Sequence, residues 1–337
     1  MRISRTAIGA ALLVAAVTII GGGAAAQRLQ QLSQECRAPI VERCRSAGGG
    51  DRRECVLAAM QTMSEACRKQ ISDAAASREV LPAGMREVSY GSDAKQRIDL
   101  LSGPATTRQP LLVFIHGGGW SIGDKRQFIA PKAAMASRLG LAFASLNYRL
   151  VPQARVEDEV TDIASAIAFL RAHAAENGID PDHIVLMGHS AGAHLAALVA
   201  ADPSWLTKAG VPLSSITGVI LLDGAAYDVL AQLSDPRNRV QSMYQAAFGG
   251  DAGRQRALSP IAHAAAPNVA RWLILPIERR ADSTSQSQAL ATALRAAGTK
   301  VTLTPVPKAT HMTLNRQIGE PGDFATGEIE RFLAGIR

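Results

Sequence analysis

The 337-residue chain is 47% hydrophobic, 4% aromatic and 19% charged, with a formal net charge of +7. That apolar share excludes disorder along the whole chain and supports one large domain with a small extra unit. The positive balance is spread out, with no dense Lys/Arg run and few aromatics, so a nucleic-acid partner is not expected.

The first residues, "MRISRTAIGAALLVAAVTIIGGGAAAQ", have a short basic head and an apolar stretch from Ala7 to Ile20. Small residues follow, with Ala24 and Ala26 in an A-x-A pattern before Gln27. This layout predicts a secretory signal peptide over residues 1–26, so the chain is expected to be exported, periplasmic or secreted. The alternative is an uncleaved N-terminal membrane anchor. Cleavage would remove Arg2 and Arg5, lowering the net charge to about +5, and would leave no stable membrane insertion.

Residues 27–82 form a cysteine-rich helical segment and linker. All four cysteines, Cys36, Cys44, Cys55 and Cys67, lie here. In an exported chain this clustering argues for two disulfides. The CxxC spacing of a zinc site is absent, and neither a metal nor a cofactor is expected. "QECRAPIVERC" and "RRECVLAAMQTMSEAC" read as helices separated by "RSAGGGD". Such a hairpin pairs Cys44 with Cys55 and Cys36 with Cys67, one of three possible connectivities.

Residues 83–337 change texture. "MREVSY" and "QRIDLL" read as an opening antiparallel pair. "LLVFI" (111–115), "LAFASLNY" (141–148), "HIVLM" (183–187), "ITGVILLD" (216–223), "WLILPI" (272–277) and "KVTLTPV" (300–306) follow as strands. Several are apolar throughout, as expected for parallel strands covered on both faces. Amphipathic runs such as "EDEVTDIASAIAFLRAHAAEN" alternate with them. The pattern predicts a doubly wound, mostly parallel α/β sheet. Pro305 predicts that the last strand sits at an edge.

The chemistry-bearing residues fall at strand ends. "HIVLMGHSAGAHLAALVAA" places Ser190 in a G-x-S-x-G turn between a strand and a helix, the context of an exposed nucleophile. His311, after the last strand, is the expected base. His194 lies on the helix of the turn, and His263 lies ahead of the penultimate strand. Asp282 is the expected acid, with Asp223 and Glu278 as alternatives. Gly117, Gly118 and Ala191 are expected to donate backbone N–H groups to a developing oxyanion. His116 is expected to brace the glycine loop. Trp120 reads either as a wall of the acyl pocket or as packing beneath that loop. Residues 225–266 read as a small lid.

The segments "HGGGWSIGDK", "LNYRLVP", "GIDPDHIVLMGHSAGAHLAA", "ADSTSQSQALATALRAAG" and "ATH" resemble an α/β-hydrolase esterase. The type is hormone-sensitive-lipase-like or feruloyl/acetylxylan-esterase-like. The resemblance implies a serine carboxylesterase acting on a small ester through an acyl-Ser190 intermediate. It also implies that Tyr148 and Arg149 support the glycine loop and that Asp162, on the following helix, is structural. "HGGGW" with "GDK" resembles arylformamidases as well, so hydrolysis of a small amide is the alternative. A catalytically silent binding module is the alternative of a different class. "IERRADS" departs from the glycine-and-acid turn usual before the acid.

Overall fold

The protein is described by a computed structural model over residues 32–44, 55–56, 59–60, 62–76, 81–235, 240–265 and 267–335. The predicted leader and the "RSAGGGD" break lie outside the described residues. The chain divides into two compact units, Met1–Arg78 and Glu79–Arg337. No helix of the described residues is long and apolar enough to cross a membrane.

In the first unit, α1 (Gln34–Arg43) starts at Ser33, whose hydroxyl accepts from the Cys36 N–H. α2 (Glu65–Ala76) follows. The helix predicted over 52–67 is not continuous: a turn at residues 62–64 separates helical residues 59–60 from α2. The hydroxyls explain the break. Thr62 Oγ1 donates to the Ala59 carbonyl at 2.9 Å, and Ser64 Oγ accepts from the Cys67 N–H as α2 begins. Disulfides join Cys36 to Cys67 and Cys44 to Cys55, with Cα atoms 5.1 and 5.7 Å apart. The nested pairing expected of the hairpin is the one present.

The second unit is built on an eight-stranded sheet. Its strands are β1 (Arg86–Ser89), β2 (Arg97–Leu101), β3 (Gln109–Ile115), β4 (Ala142–Leu146), β5 (Ile179–His189), β6 (Ile216–Leu222), β7 (Arg271–Leu275) and β8 (Lys300–Leu303). Their order is β1-β2-β4-β3-β5-β6-β7-β8. β2 pairs antiparallel with β1 and β4, and the remaining pairs are parallel. Each strand coincides with a run read from the sequence. β8 is an edge strand, and Pro305 falls beyond its end.

The apolar runs are explained by burial on both faces. Leu112, Phe114, Val185, Met187, Ile220 and Leu273 join one core with α3 (Ile129–Arg138) and the C-terminal helices. The alternate positions Leu111, Val113, Ile184, Leu186, Val219 and Leu221 are also buried. α4 (Val156–Ala172) and α5 (Ala191–Ala201) follow β4 and β5 as crossover helices. Every residue of α5 is buried, which fits its almost uniformly apolar sequence.

Glu159 on α4 is fully buried. Burial, reinforced by the nearby Asp162 carboxylate, pushes its carboxyl well above the ordinary range. A carboxyl with a raised folded value gives its full stability below its unfolded value of about 4.3 and loses it as the pH climbs towards the folded value. Glu159→Gln therefore gains stability relative to the parent between pH 4 and pH 8, read as thermal midpoints across that range. Parallel midpoint curves would contradict the assignment.

Candidate active site

Ser190 is the single residue between β5 and α5, with φ +57° and ψ −121°. This is a costly conformation for a side-chain-bearing residue, held because the flanking strand and helix fix both its ends. The flanking glycines are dictated by contact. A Cβ on Gly188 would collide with the Gly192 carbonyl oxygen, and one on Gly192 with the Ile115 and His116 oxygens at the end of β3. The Ser190 N–H donates to the Leu222 oxygen of β6 at 2.9 Å. The turn thus stands at the carboxyl edge of the parallel strands, where ligands of such sheets bind.

His311 opens α6 (His311–Gln317), with Thr310 as its cap. Its Nε2 lies 3.0 Å from Ser190 Oγ, and its Nδ1 lies 2.6 Å from Asp223 Oδ2. An ionised carboxylate only accepts, so the proton sits on Nδ1 and leaves Nε2 facing the hydroxyl as an acceptor. His189 Nε2 is 3.0 Å from the His311 carbonyl oxygen, and the two rings are 4.5 Å apart. Buried Lys132 donates to the Phe128 and Asn315 carbonyls, tying α6 to α3.

The expected pairing of Asp282 with His311 is corrected here. Asp282 Oδ1 and Oδ2 accept from Arg280 Nε and Nη2, both at 3.1 Å. Asp282 is in the first turn of α7 (Ala281–Ala296), where its carboxylate turns back onto Arg280. Glu278 is exposed after β7. The carboxylate on His311 is that of Asp223, at the end of β6, wholly buried and with φ +45°. Burial alone would raise this carboxyl. The Arg280 charge and the hydrogen bond from His311 outweigh it and hold the group well below the usual carboxylate range. The Ile277 N–H also donates to Asp223 Oδ1 at 3.1 Å.

The glycine loop closes over the turn. A Cβ on Gly117 would lie 2.6 Å from the His189 oxygen and 2.8 Å from Ser190 Cβ, so the loop backbone passes directly beside the serine. Gly118, at φ +136°, leaves no room for a Cβ beside the Ile122 oxygen. Ala191 is the first residue of α5, where N–H groups lack helical partners. His116 braces the loop: Tyr148 Oη donates to its carbonyl at 2.6 Å, and the two rings stack 4.4 Å apart. Asp162 accepts from Arg149 Nε and Nη2 at 2.9 and 2.7 Å and fixes the segment that carries Tyr148.

Composition and spacing did not single out the supports behind this loop. The Asn147 side chain accepts from the Lys125 N–H and donates to Asp124, while Lys125 Nζ reaches buried Asp99 at 2.6 Å. Trp120 is 2% exposed and has φ +59°. Its Nε1 donates to His194 Nδ1 at 3.3 Å, and its ring packs on Tyr244 and Phe248 of the 225–266 segment at 5.5 and 4.7 Å. His194 Nε2 in turn faces the Leu258 oxygen at 2.8 Å. Burial lowers His194 to about 4, so it is neutral and ties α5 to that segment. His263 contacts the Ala257 oxygen, away from this relay.

The family model BD-FAE matches residues 98–210. The esterase LipQ of Mycobacterium tuberculosis is 29% identical over 85% of this chain and 70% of its own length. A probable isoprenylcysteine alpha-carbonyl methylesterase, ICMEL1 of Arabidopsis thaliana, is 40% identical over 34% of this chain, which spans only 24% of that relative's length. Thermogutta terrifontis esterase 2 phosphonylated by sarin superposes with a TM-score of 0.63 at 25% identity, covering 76% of this chain and 96% of that one. The same esterase has been solved with butyrate bound, at 26% identity and a TM-score of 0.61, covering 77% of this chain and 98% of that one. Together with the sheet order, these likenesses give the chain an α/β-hydrolase fold and make it similar to esterases, while it spans only about a quarter of the length of the first curated relatives it matches.

The contact of Gly192 with β3 sets a measurable limit. Gly192→Ala lowers stability by about 2 kcal/mol or more, because the added methyl meets rigid backbone. A thermal midpoint unchanged from the parent would contradict the close approach.

Proposed function

We propose that the protein is an exported serine hydrolase cleaving short-chain acyl or aryl carboxylic esters. The observation that supports it most is the relay from Asp223 through His311 to Ser190 Oγ, with spacings of 2.6 and 3.0 Å. In this reading His311 Nε2 takes the hydroxyl proton as Ser190 Oγ attacks the ester carbonyl carbon. The carbonyl oxygen becomes an oxyanion facing the N–H groups of Gly117, Gly118 and Ala191, each worth roughly 3 kcal/mol to the transition state. The intermediate collapses, and the departing alkoxide takes the proton from His311. Water then gives a proton to His311 and attacks the acyl-Ser190 carbonyl. Collapse frees the carboxylic acid and returns the proton to Ser190.

Asp223 replaces Asp282 as the acid in this mechanism. It orients the imidazole and stabilises the transient imidazolium without taking the proton itself. Trp120, 2% exposed and packed on Tyr244 and Phe248, fits the packing reading rather than a pocket wall, and the preference for short chains is inferred from the butyrate held by the Thermogutta terrifontis enzyme. Phosphonylation of that enzyme by sarin is in keeping with a nucleophilic serine. Export follows from the predicted leader over 1–26, and the two disulfides suit an oxidising compartment. Residues 83–337 carry the catalysis, and the stapled segment within 27–82 is a separate accessory.

The test is a panel of p-nitrophenyl esters of rising chain length, with N-formylkynurenine as the small-amide probe. The parent and its Asp223→Asn, Asp282→Asn and Glu278→Gln variants are compared across pH. The parent prefers short acyl esters, and its rate falls as the pH drops through about 6 to 7, where an ordinary histidine gains its proton. Asp223 remains ionised through that range. Asp223→Asn loses about 10³-fold or more in kcat, whereas the other two variants lose far less. Preference for the amide overturns the substrate reading. A crippled Asp282→Asn beside an active Asp223→Asn overturns the acid.

A further inference from the structure

Arg280 stands where chain order placed the acid, and it touches the relay itself. Its side chain is 14% exposed. Nη1 lies 3.1 Å from Asp223 Oδ2, 3.3 Å from the Asp223 carbonyl oxygen and 3.0 Å from His311 Nδ1. The other edge of the guanidinium, Nε and Nη2, is held by both oxygens of Asp282. The planar fork therefore spans two carboxylates, one on α7 and one at the end of β6. A single ammonium has no equivalent geometry.

We propose that Arg280, anchored by Asp282, is a positioning residue that clamps the Asp223 carboxylate and keeps a permanent positive charge beside His311, so that hydrolysis persists to lower pH. The inference rests on the esterase reading above. Two consequences follow from the distances. Asp223 Oδ2 receives Arg280 and His311 together while Oδ1 receives Ile277 N–H, so the carboxylate is fixed against rotation. An imidazolium at His311 would face a cation nearly as close as its anion, which offsets part of the pull Asp223 exerts on the proton.

The other groups around His311 leave this role to Arg280. Ser190 and His189 approach from β5, with His189 set against the His311 carbonyl oxygen. Tyr227 lies near Asp223, and burial pushes its phenol far up, so it carries no charge. Asp282 is the anion that holds Arg280, and Lys308, three residues ahead of His311, is exposed.

The experiment compares the pH dependence of kcat/KM for p-nitrophenyl acetate in the full chain and its Arg280→Gln and Arg280→Lys variants. The His311 ring is titrated in parallel by NMR in a Ser190→Ala background, with His311→Gln identifying its signal among those of the seven histidines. Arg280→Gln moves the acid limb and the ring titration up by about one pH unit, and Arg280→Lys moves them by a smaller step in the same direction. A role confined to structure would lower the plateau rate and leave the limb in place, and that result overturns the proposal. Should Arg280→Gln fail to fold, Arg280→Met, which keeps the aliphatic stem and removes the charge, decides instead: a raised titration supports the proposal, and an unmoved one overturns it. The ring titration needs no substrate. If the parent hydrolyses no ester, the esterase reading fails while the effect of Arg280 on His311 is still measured.

Discussion

A carboxylate with no exposure to water needs partners in fixed places, and Asp223 has them on every side. His311 and Arg280 converge on one oxygen, and the Ile277 N–H reaches the other. Removing one partner from such a buried ion cluster costs about 3 to 5 kcal/mol. The partners come from the connections after β7 and β8, and the serine they serve comes from the end of β5. These positions meet only when the strands run parallel and in register, with β6 between β5 and β7. The sheet order is the condition for the relay.

Backbone proximity is the second constraint. Three segments meet at the serine: the loop after β3, the end of β5 and the first turn of α5. The approaches at Gly117, Gly188 and Gly192 leave no space for a Cβ. The strain of Ser190 at φ +57° is held by these packed neighbours and by its N–H bond to β6. The supports lie one layer behind, in the Tyr148–His116 and Arg149–Asp162 contacts. Tyr148 and His116 are buried, and Arg149 reaches the buried Asp162 from a partly exposed position.

Much of this was legible in the chain. Uninterrupted apolar runs marked the parallel strands, because strands covered on both faces have no polar side. The strand–G-x-S-x-G–helix context marked Ser190, and chain order marked His311. The carboxylate that meets His311 was harder to read, since the ends of two adjacent strands both reach one histidine. Two signals favoured Asp223: the run "ITGVILL" leads directly into it, and two arginines crowd Asp282. Periodicity carries no information on which carboxylate an arginine takes. The interrupted helix before Cys67 was missed for a local reason, because hydroxyl bonding at Thr62 and Ser64 overrode an apolar pattern of helical spacing.

The central claim is that Ser190 is a nucleophile activated through His311. It is tested most directly by treating the full chain with an organophosphonate carrying a good leaving group and mapping the product by peptide mass spectrometry. The account predicts one adduct per chain, on Ser190 Oγ, with loss of the leaving group, and none on the Ser190→Ala chain. An adduct on another residue, or a fully active enzyme that takes no adduct at Ser190, would contradict it.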